Sequence, residues 1–138
     1  MRYNPILRAC AKFLIAPIML FALYVQFHGD YGPGGGFQAG VIFAVAFILY
    51  SLIYGVHNAR KVAPMWLLRL LMAGGVLLYG GVGVLTMLLG GVFLDYDQLA
   101  HDPQHGQHYG ILLVEAGVGL TVASVMMVLF FTFAGRKE

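Results

Sequence analysis

Four long apolar runs, separated by short polar linkers, govern what this chain can fold into. They cover roughly 6–27, 37–56, 63–94 and 109–134. A bilayer core about 30 Å thick takes ~20 apolar residues to cross as a helix, and each run is long enough. The expected fold is therefore all-α: a four-transmembrane-helix bundle, with 1–138 forming a single membrane domain. Only 10% of the residues are charged, against ~25% in an average soluble domain, so the chain is built for lipid. Pro17, inside the first run, is expected to kink its helix. Pro64 falls near the first turn of the third, where proline is tolerated.

The charges are segregated. Arg2, Arg8 and Lys12 flank the start of the first run, Arg60, Lys61 and Arg69 the second-to-third junction, and Arg136 and Lys137 close the chain; these are all eight Lys and Arg residues. The other two linkers carry Asp30, Asp95, Asp97 and Asp102 instead. Basic residues collect on the cytoplasmic side of membrane proteins, so both termini are expected there, an N-in/C-in multi-pass arrangement. Lys12 and Arg69, within their runs, can snorkel to the headgroups. No basic patch supports nucleic-acid binding. Cys10 is the single cysteine, so no intrachain disulfide can form. The first run has basic residues before it, as a signal peptide does, but no small-x-small cleavage site follows, and it is expected to be retained.

The stretch from His28 to Gly40 is the densest polar and glycine-rich element of the first half. Pro33 fixes its own φ and restricts Gly32, while Gly34, Gly35 and Gly36 permit positive φ and close backbone approach. It reads as a shaped turn leading directly into a helix that opens at Phe37 and Gln38. The pattern His28-Gly29, Pro33-Gly34-Gly35-Gly36-Phe37-Gln38, Gly40-Val41-Ile42 resembles the signature of the MrpB family, a small component of the Mrp-type multisubunit Na⁺(K⁺)/H⁺ antiporters. Ala39 stands where many members carry glycine. The resemblance extends over nearly the whole chain. It implies a small protein of the bacterial plasma membrane that works inside an assembly of other subunits, which together exchange Na⁺ or K⁺ for H⁺ and support pH homeostasis. Related subunits occur in membrane-bound hydrogenases.

Glu115 is the acidic residue well inside an apolar run. It should lie about 8 Å from the outer end of the fourth helix. Intramembrane carboxylates face a bundle interior, a partner or a water-filled path, and an apolar setting disfavours the charged form, which equips such a group to exchange protons. Gly119 is one turn further on the same face, so a neighbour can come close there. The plain alternative is a carboxylate reaching interfacial water. His28, beside Asp30, is either a proton-exchanging group or a polar residue bonded to the turn. Pro33, Gly34, Gly35, Gly36, Phe37, Gln38 and Gly40 join these as candidates for an ion path or a subunit interface, with Phe37 expected to plug into a partner and Gln38 to hydrogen-bond. In the third run, Gly80 and Gly91 project together, with Gly74, Gly81, Gly83 and Gly90 near them and Gly75 pointing away. Such small residues let membrane helices approach closely, within this chain or against another subunit.

His101, His105 and His108 have i, i+4, i+7 spacing, but Pro103 and Gly106 argue against a helix there, and no metal site is expected. The glycine-rich turn lacks the Lys-Ser/Thr of a phosphate-binding loop. No mid-helix histidine suits haem, and Ser51 and Ser124 lie inside apolar runs with no catalytic partners. No cofactor and no enzymatic activity are expected. Two rivals to the subunit reading remain: a stand-alone exporter that dimerises around one membrane glutamate, and a structural spacer with no residue in the ion path.

Overall fold

The computed structural model describes residues 4–29 and 31–137. It is all-helical, and four of its helices are long and apolar enough to cross a membrane. Helix α1 spans Pro5–Phe27 and is capped by Asn4, whose side-chain oxygen accepts from the N–H groups of Ile6 (3.1 Å) and Leu7 (3.3 Å). It runs through Pro17 as one element. Helix α2 spans Gly36–Tyr54. Gly55 ends it at φ +96°, a conformation that glycine takes readily. The second run is therefore shorter than expected, and a separate seven-residue helix α3, Val56–Val62, follows with Arg60 and Lys61 in its last turn. Helix α4 spans Met65–Leu88, with Pro64 as its N-cap. Helix α5 spans Pro103–Ala134.

Two further boundaries differ from those expected of the apolar runs. The third run was expected to be helical to residue 94, but α4 stops at Leu88. Thr86, fully buried, organises the reversal. Its hydroxyl accepts from Leu94 N–H at 3.0 Å, and the carbonyls of Gly83 (2.8 Å) and Val92 (3.2 Å) lie within its donor reach. Gly90 (φ +97°) and Leu94 (φ +63°) supply the left-handed turns, and Phe93 folds back so that its ring lies on Gly83. Helix α5, in turn, starts at Pro103 rather than near residue 109. Asp102 caps it, accepting from Gln104 N–H at 3.3 Å, and proline at the first helical position loses nothing, because its missing N–H would have had no partner. Gly106 does not break this helix. It gives the 3₁₀ turn Tyr96–Leu99 room to sit on it, with the Tyr96 carbonyl where a side chain would stand.

The helices form an open row rather than a closed bundle. Helix α1 packs on α2, α2 on α5, and α5 on α4, leaving α2 and α5 as the inner pair. Along its spanning segment α2 is 44% buried and α1 only 11%. The core cluster lies towards the Arg60 end: Ala44 and Phe47 of α2, Ala59 of α3, Ala63, Leu68 of α4, and Met127 and Phe131 of α5. There Arg60 donates to the Phe131 carbonyl at 2.8 Å and lies over the Phe131 ring at 5.7 Å. A guanidinium on the last carbonyls of a helix meets the negative end of its dipole. Arg60 thus clasps α3 to the end of α5.

Thr86→Val keeps the shape but strips Leu94 N–H of its acceptor. It is expected to lower stability by about 1–2 kcal/mol, measured by unfolding the purified protein in detergent, with Thr86→Ser close to the parent.

Candidate functional site: the glycine turn and Glu115

Phe27 ends α1, and the chain turns at once, with Tyr31 N–H bonded to the His28 carbonyl at 3.0 Å. Gly34 sits at φ +127°, where an L side chain is strained, and a Cβ there would stand 2.8 Å from Val25. Gly35 is the N-cap of α2. Its N–H donates to Gln38 Oε1 at 3.1 Å, so Gln38 closes the start of its own helix. Pro33 is exposed, and Phe37 is 60% exposed. His28 is also exposed and stacks on Tyr24 (ring centroids 4.9 Å), with Tyr31 at 6.0 Å. Asp30, the candidate partner of His28, lies outside the described residues.

The structure brings Glu115 into this turn. The two were separate candidates in the sequence. A Cβ built on Gly29 would stand 2.5 Å from Glu115 Oε2, and one built on Gly35 would stand 2.7 Å from Oε1. Gly36 is buried directly against the Glu115 carbonyl. Half-buried Glu115 is thus cradled by bare backbone at Gly29 and Gly35. One turn along, Gly40 and Gly119 repeat the close approach: a Cβ on Gly40 would be 2.6 Å from the Gly119 carbonyl. Gly36 and Gly40 on α2 match Glu115 and Gly119 on α5, each pair four residues apart and so on one helical face. That matching spacing was the signal in the sequence that could have joined the two elements. Glu115 lies twelve residues, ~18 Å, from the start of α5, not about 8 Å, because the helix begins two turns earlier. It is nonetheless level with the ends of α1 and α2, since α5 rises beyond them to meet the Tyr96 turn.

Gln26 was missed, although it is the one amide in the first apolar run. Its Oε1 lies 2.6 Å from where a Cβ of Gly119 would be. Its Nε2 is buried with no hydrogen-bond partner among the described residues.

The other candidates sort themselves by packing. A Cβ on Gly74, Gly80 or Gly81 would meet nothing within 4 Å among the described residues, so these glycines of α4 face away from the chain. Gly75 points away from them, as expected, and packs on α5 against Thr121 and the Gly117 carbonyl. Three glycines leave the expected stripe: Gly83 lies under the Phe93 ring, while Gly90 and Gly91 fall beyond the end of the helix. His105 lies on α5, its Nδ1 3.1 Å from Asp102 Oδ2, and His101 precedes the helix, so the three histidines do not share one helical face. Among the described residues no group of three or more His, Cys, Asp or Glu is placed to hold a metal ion.

Gly36→Val and Gly75→Val place a branched side chain against backbone and are expected to reduce the yield of folded protein severalfold. Gly81→Val, one helical face away, is expected to leave the folding of this chain at the parental level. Thermal aggregation of the three variants in detergent checks this.

Comparison with known proteins agrees with the family resemblance of the chain. Two curated relatives named "Putative antiporter subunit mnhB2" align over 136 residues, 96% of this chain and 96% of their own length. One, from Staphylococcus haemolyticus (strain JCSC1435), is 31% identical; the other, from Staphylococcus aureus (strain Newman), is 32% identical. A family model described as "Domain related to MnhB subunit of Na+/H+ antiporter" matches residues 6–128, which takes in the glycine turn, Glu115 and most or all of each long helix, and the chain belongs to that family.

Proposed function

We propose that this chain is the MnhB-type component of a multisubunit cation/proton antiporter in the bacterial plasma membrane, and that the glycine turn and Glu115 act as one unit in its exchange of Na⁺ or K⁺ for H⁺. The cradle of bare backbone around the Glu115 carboxylate carries this reading. A carboxylate held there can take a proton or a monovalent cation, but one excludes the other. That competition is the elementary act of cation/proton exchange. The turn fixes the carboxylate's surroundings through Pro33, the φ of Gly34 and the Gln38–Gly35 hydrogen bond. Phe37 projects from the first turn of α2 as an anchor for a neighbouring subunit. The relatives named as antiporter subunits support an assembly over a stand-alone homodimer, and the open row leaves α1 and the Gly74–Gly81 face of α4 for other proteins or lipid to cover. Nor is the chain a spacer alone, since a spacer has no use for a cradled carboxylate.

Glu115→Gln is expected to lower antiport several-fold or shift its pH optimum in membrane vesicles while the complex still assembles; parental activity and pH profile would remove Glu115 from the ion path. Phe37→Ala and Pro33→Gly should insert normally yet reduce exchange or assembly, and Gly35→Val should do so more strongly. Purification in mild detergent should bring down several larger membrane proteins, and an isolated homodimer would overturn the subunit reading.

The segregation of all eight basic residues supports an orientation with both termini in the cytoplasm and the 89–102 loop outside. A phosphatase reporter fused after Lys137 is expected to be inactive in export-dependent assays, and one inserted in that loop active.

A further inference from the structure

The first turns of α1 and the last turns of α2 lie side by side and form a groove that carries charge. Arg8 and Lys12 are four residues apart on α1, and Tyr50 and Tyr54 are four apart on α2, so each pair lies on one helical face. The two faces meet in register. The Arg8 guanidinium lies over the Tyr54 ring, 5.3 Å from its centroid, and Lys12 and Tyr50 line the same groove one turn further in. Beyond Lys12 the lining turns apolar, at Ile15 and Ala16. Both cations are exposed. Among the described residues no carboxylate pairs with either of them, and no hydrogen bond engages either phenol hydroxyl. The described acidic residues, Asp95, Asp97, Asp102 and Glu115, belong to the opposite end of the helices.

We propose that this groove binds one phospholipid of net negative charge. Its phosphate is held between Arg8 and Lys12, with the Tyr50 and Tyr54 hydroxyls as further donors, and its acyl chain starts along Ile15 and Ala16. Depth argues for a lipid. Lys12 stands seven residues, ~10 Å, inside the start of α1. Its neighbours Phe13 and Leu14 are 79% and 54% exposed, as side chains that face lipid are. An ammonium at that depth is costly without a counter-charge, and phosphate at the hydrocarbon boundary is the anion a bilayer supplies. Charge argues for the kind of headgroup. Two cations on neighbouring turns match a phosphate that brings no cation of its own, whereas the ammonium of phosphatidylethanolamine adds a third positive charge to the same groove and is repelled. Arg8 is already held in place: a guanidinium resting on an aromatic ring keeps its N–H edge for paired bonds to phosphate. The proposal requires only that the four long helices lie in a bilayer and is independent of any role for Glu115.

The test uses the protein in its native assembly, reconstituted in phosphatidylethanolamine–phosphatidylglycerol vesicles in which one lipid or the other carries a diazirine near the ester end of an acyl chain. A basic residue beside an anionic headgroup is worth about five-fold in binding. After irradiation, the phosphatidylglycerol probe is therefore expected to label Ile15 and Ala16 about five-fold or more above Val45, an exposed residue at similar depth on α2. The phosphatidylethanolamine probe should show no such preference. Arg8→Gln and Lys12→Gln should each lower the phosphatidylglycerol preference about five-fold with co-purifying subunits unchanged, and Lys12→Arg should retain it. Should loss of a cation impair assembly, Ala9→Glu sets a carboxylate in the groove with every cation still present, and is expected to erase the preference. Equal labelling by the two probes overturns the proposal, as does a preference indifferent to these substitutions. Absence of lipid label from Ile15 and Ala16 also overturns it, and a cross-link from Lys12→Cys to another subunit then makes an acidic protein segment the occupant.

Discussion

The structure depends on the close approach of α2 to α5. Lipid offers no hydrophobic drive for one apolar helix to leave it for another, so association rests on contact between surfaces that can come near enough. Gly36 against the Glu115 carbonyl and Gly40 against Gly119 supply that contact on one side of α5, and Gly75 against Gly117 brings in α4 on the other. Glycine weakens helices in water, but here the flanking apolar residues and the bilayer maintain the helix, and the missing side chain becomes the means of packing. The same close approach places a carboxylate beside a turn that is far from it in sequence, so helix packing and the candidate site are one arrangement.

Much of the fold was legible in the sequence, because the lengths of the apolar runs are imposed by the bilayer. The boundaries were less so. Residues 89–94 are apolar enough to continue a helix, and Gly90-Gly91, though a turn signal, is one of several glycine positions in a run that stays helical through the others, so nothing there announces that Thr86 will draw the chain back on itself. That reversal comes from a tertiary hydrogen bond. At the other end of the loop, Pro103 and Gly106 read as helix breakers, yet Asp102 before Pro103 is a helix start, and Gly106 is where the Tyr96 turn sits. In both places local propensity was overruled by packing between segments. The members of the site were legible one at a time, as a glycine turn and an intramembrane glutamate. Their union was not, because it depends on the register between two helices some eighty residues apart in the chain. Gln26 was passed over for a related reason: an amide at a helix end is ordinary until its neighbours are known to offer it no acceptor.

The two ends of the structure are held by different means. At the Arg60 end, aromatic and aliphatic side chains pack around Phe131 and a guanidinium closes the last turn of α5. At the glycine-turn end, contact is mostly backbone on backbone, with few large side chains between the helices. Side-chain packing of the first kind tolerates small rearrangements, since rotamers can adjust. Backbone contacts at van der Waals distance leave no such slack. Any shift of α5 relative to α2 is thus felt first at Glu115 and its turn.

The order of the row has a consequence for how the protein is made. Synthesis delivers α1 and α2 before α4 and α5, and the first two can pair as soon as both have entered the membrane. Helix α4 has no such early partner, because its main neighbour is α5, and α5 is also the second neighbour of α2. Helices made early must wait for what they pack on. Of these four long helices, the last to leave the ribosome is therefore the one that joins the two halves. A chain truncated before residue 103 would retain the α1–α2 hairpin and leave α4 stranded in the lipid.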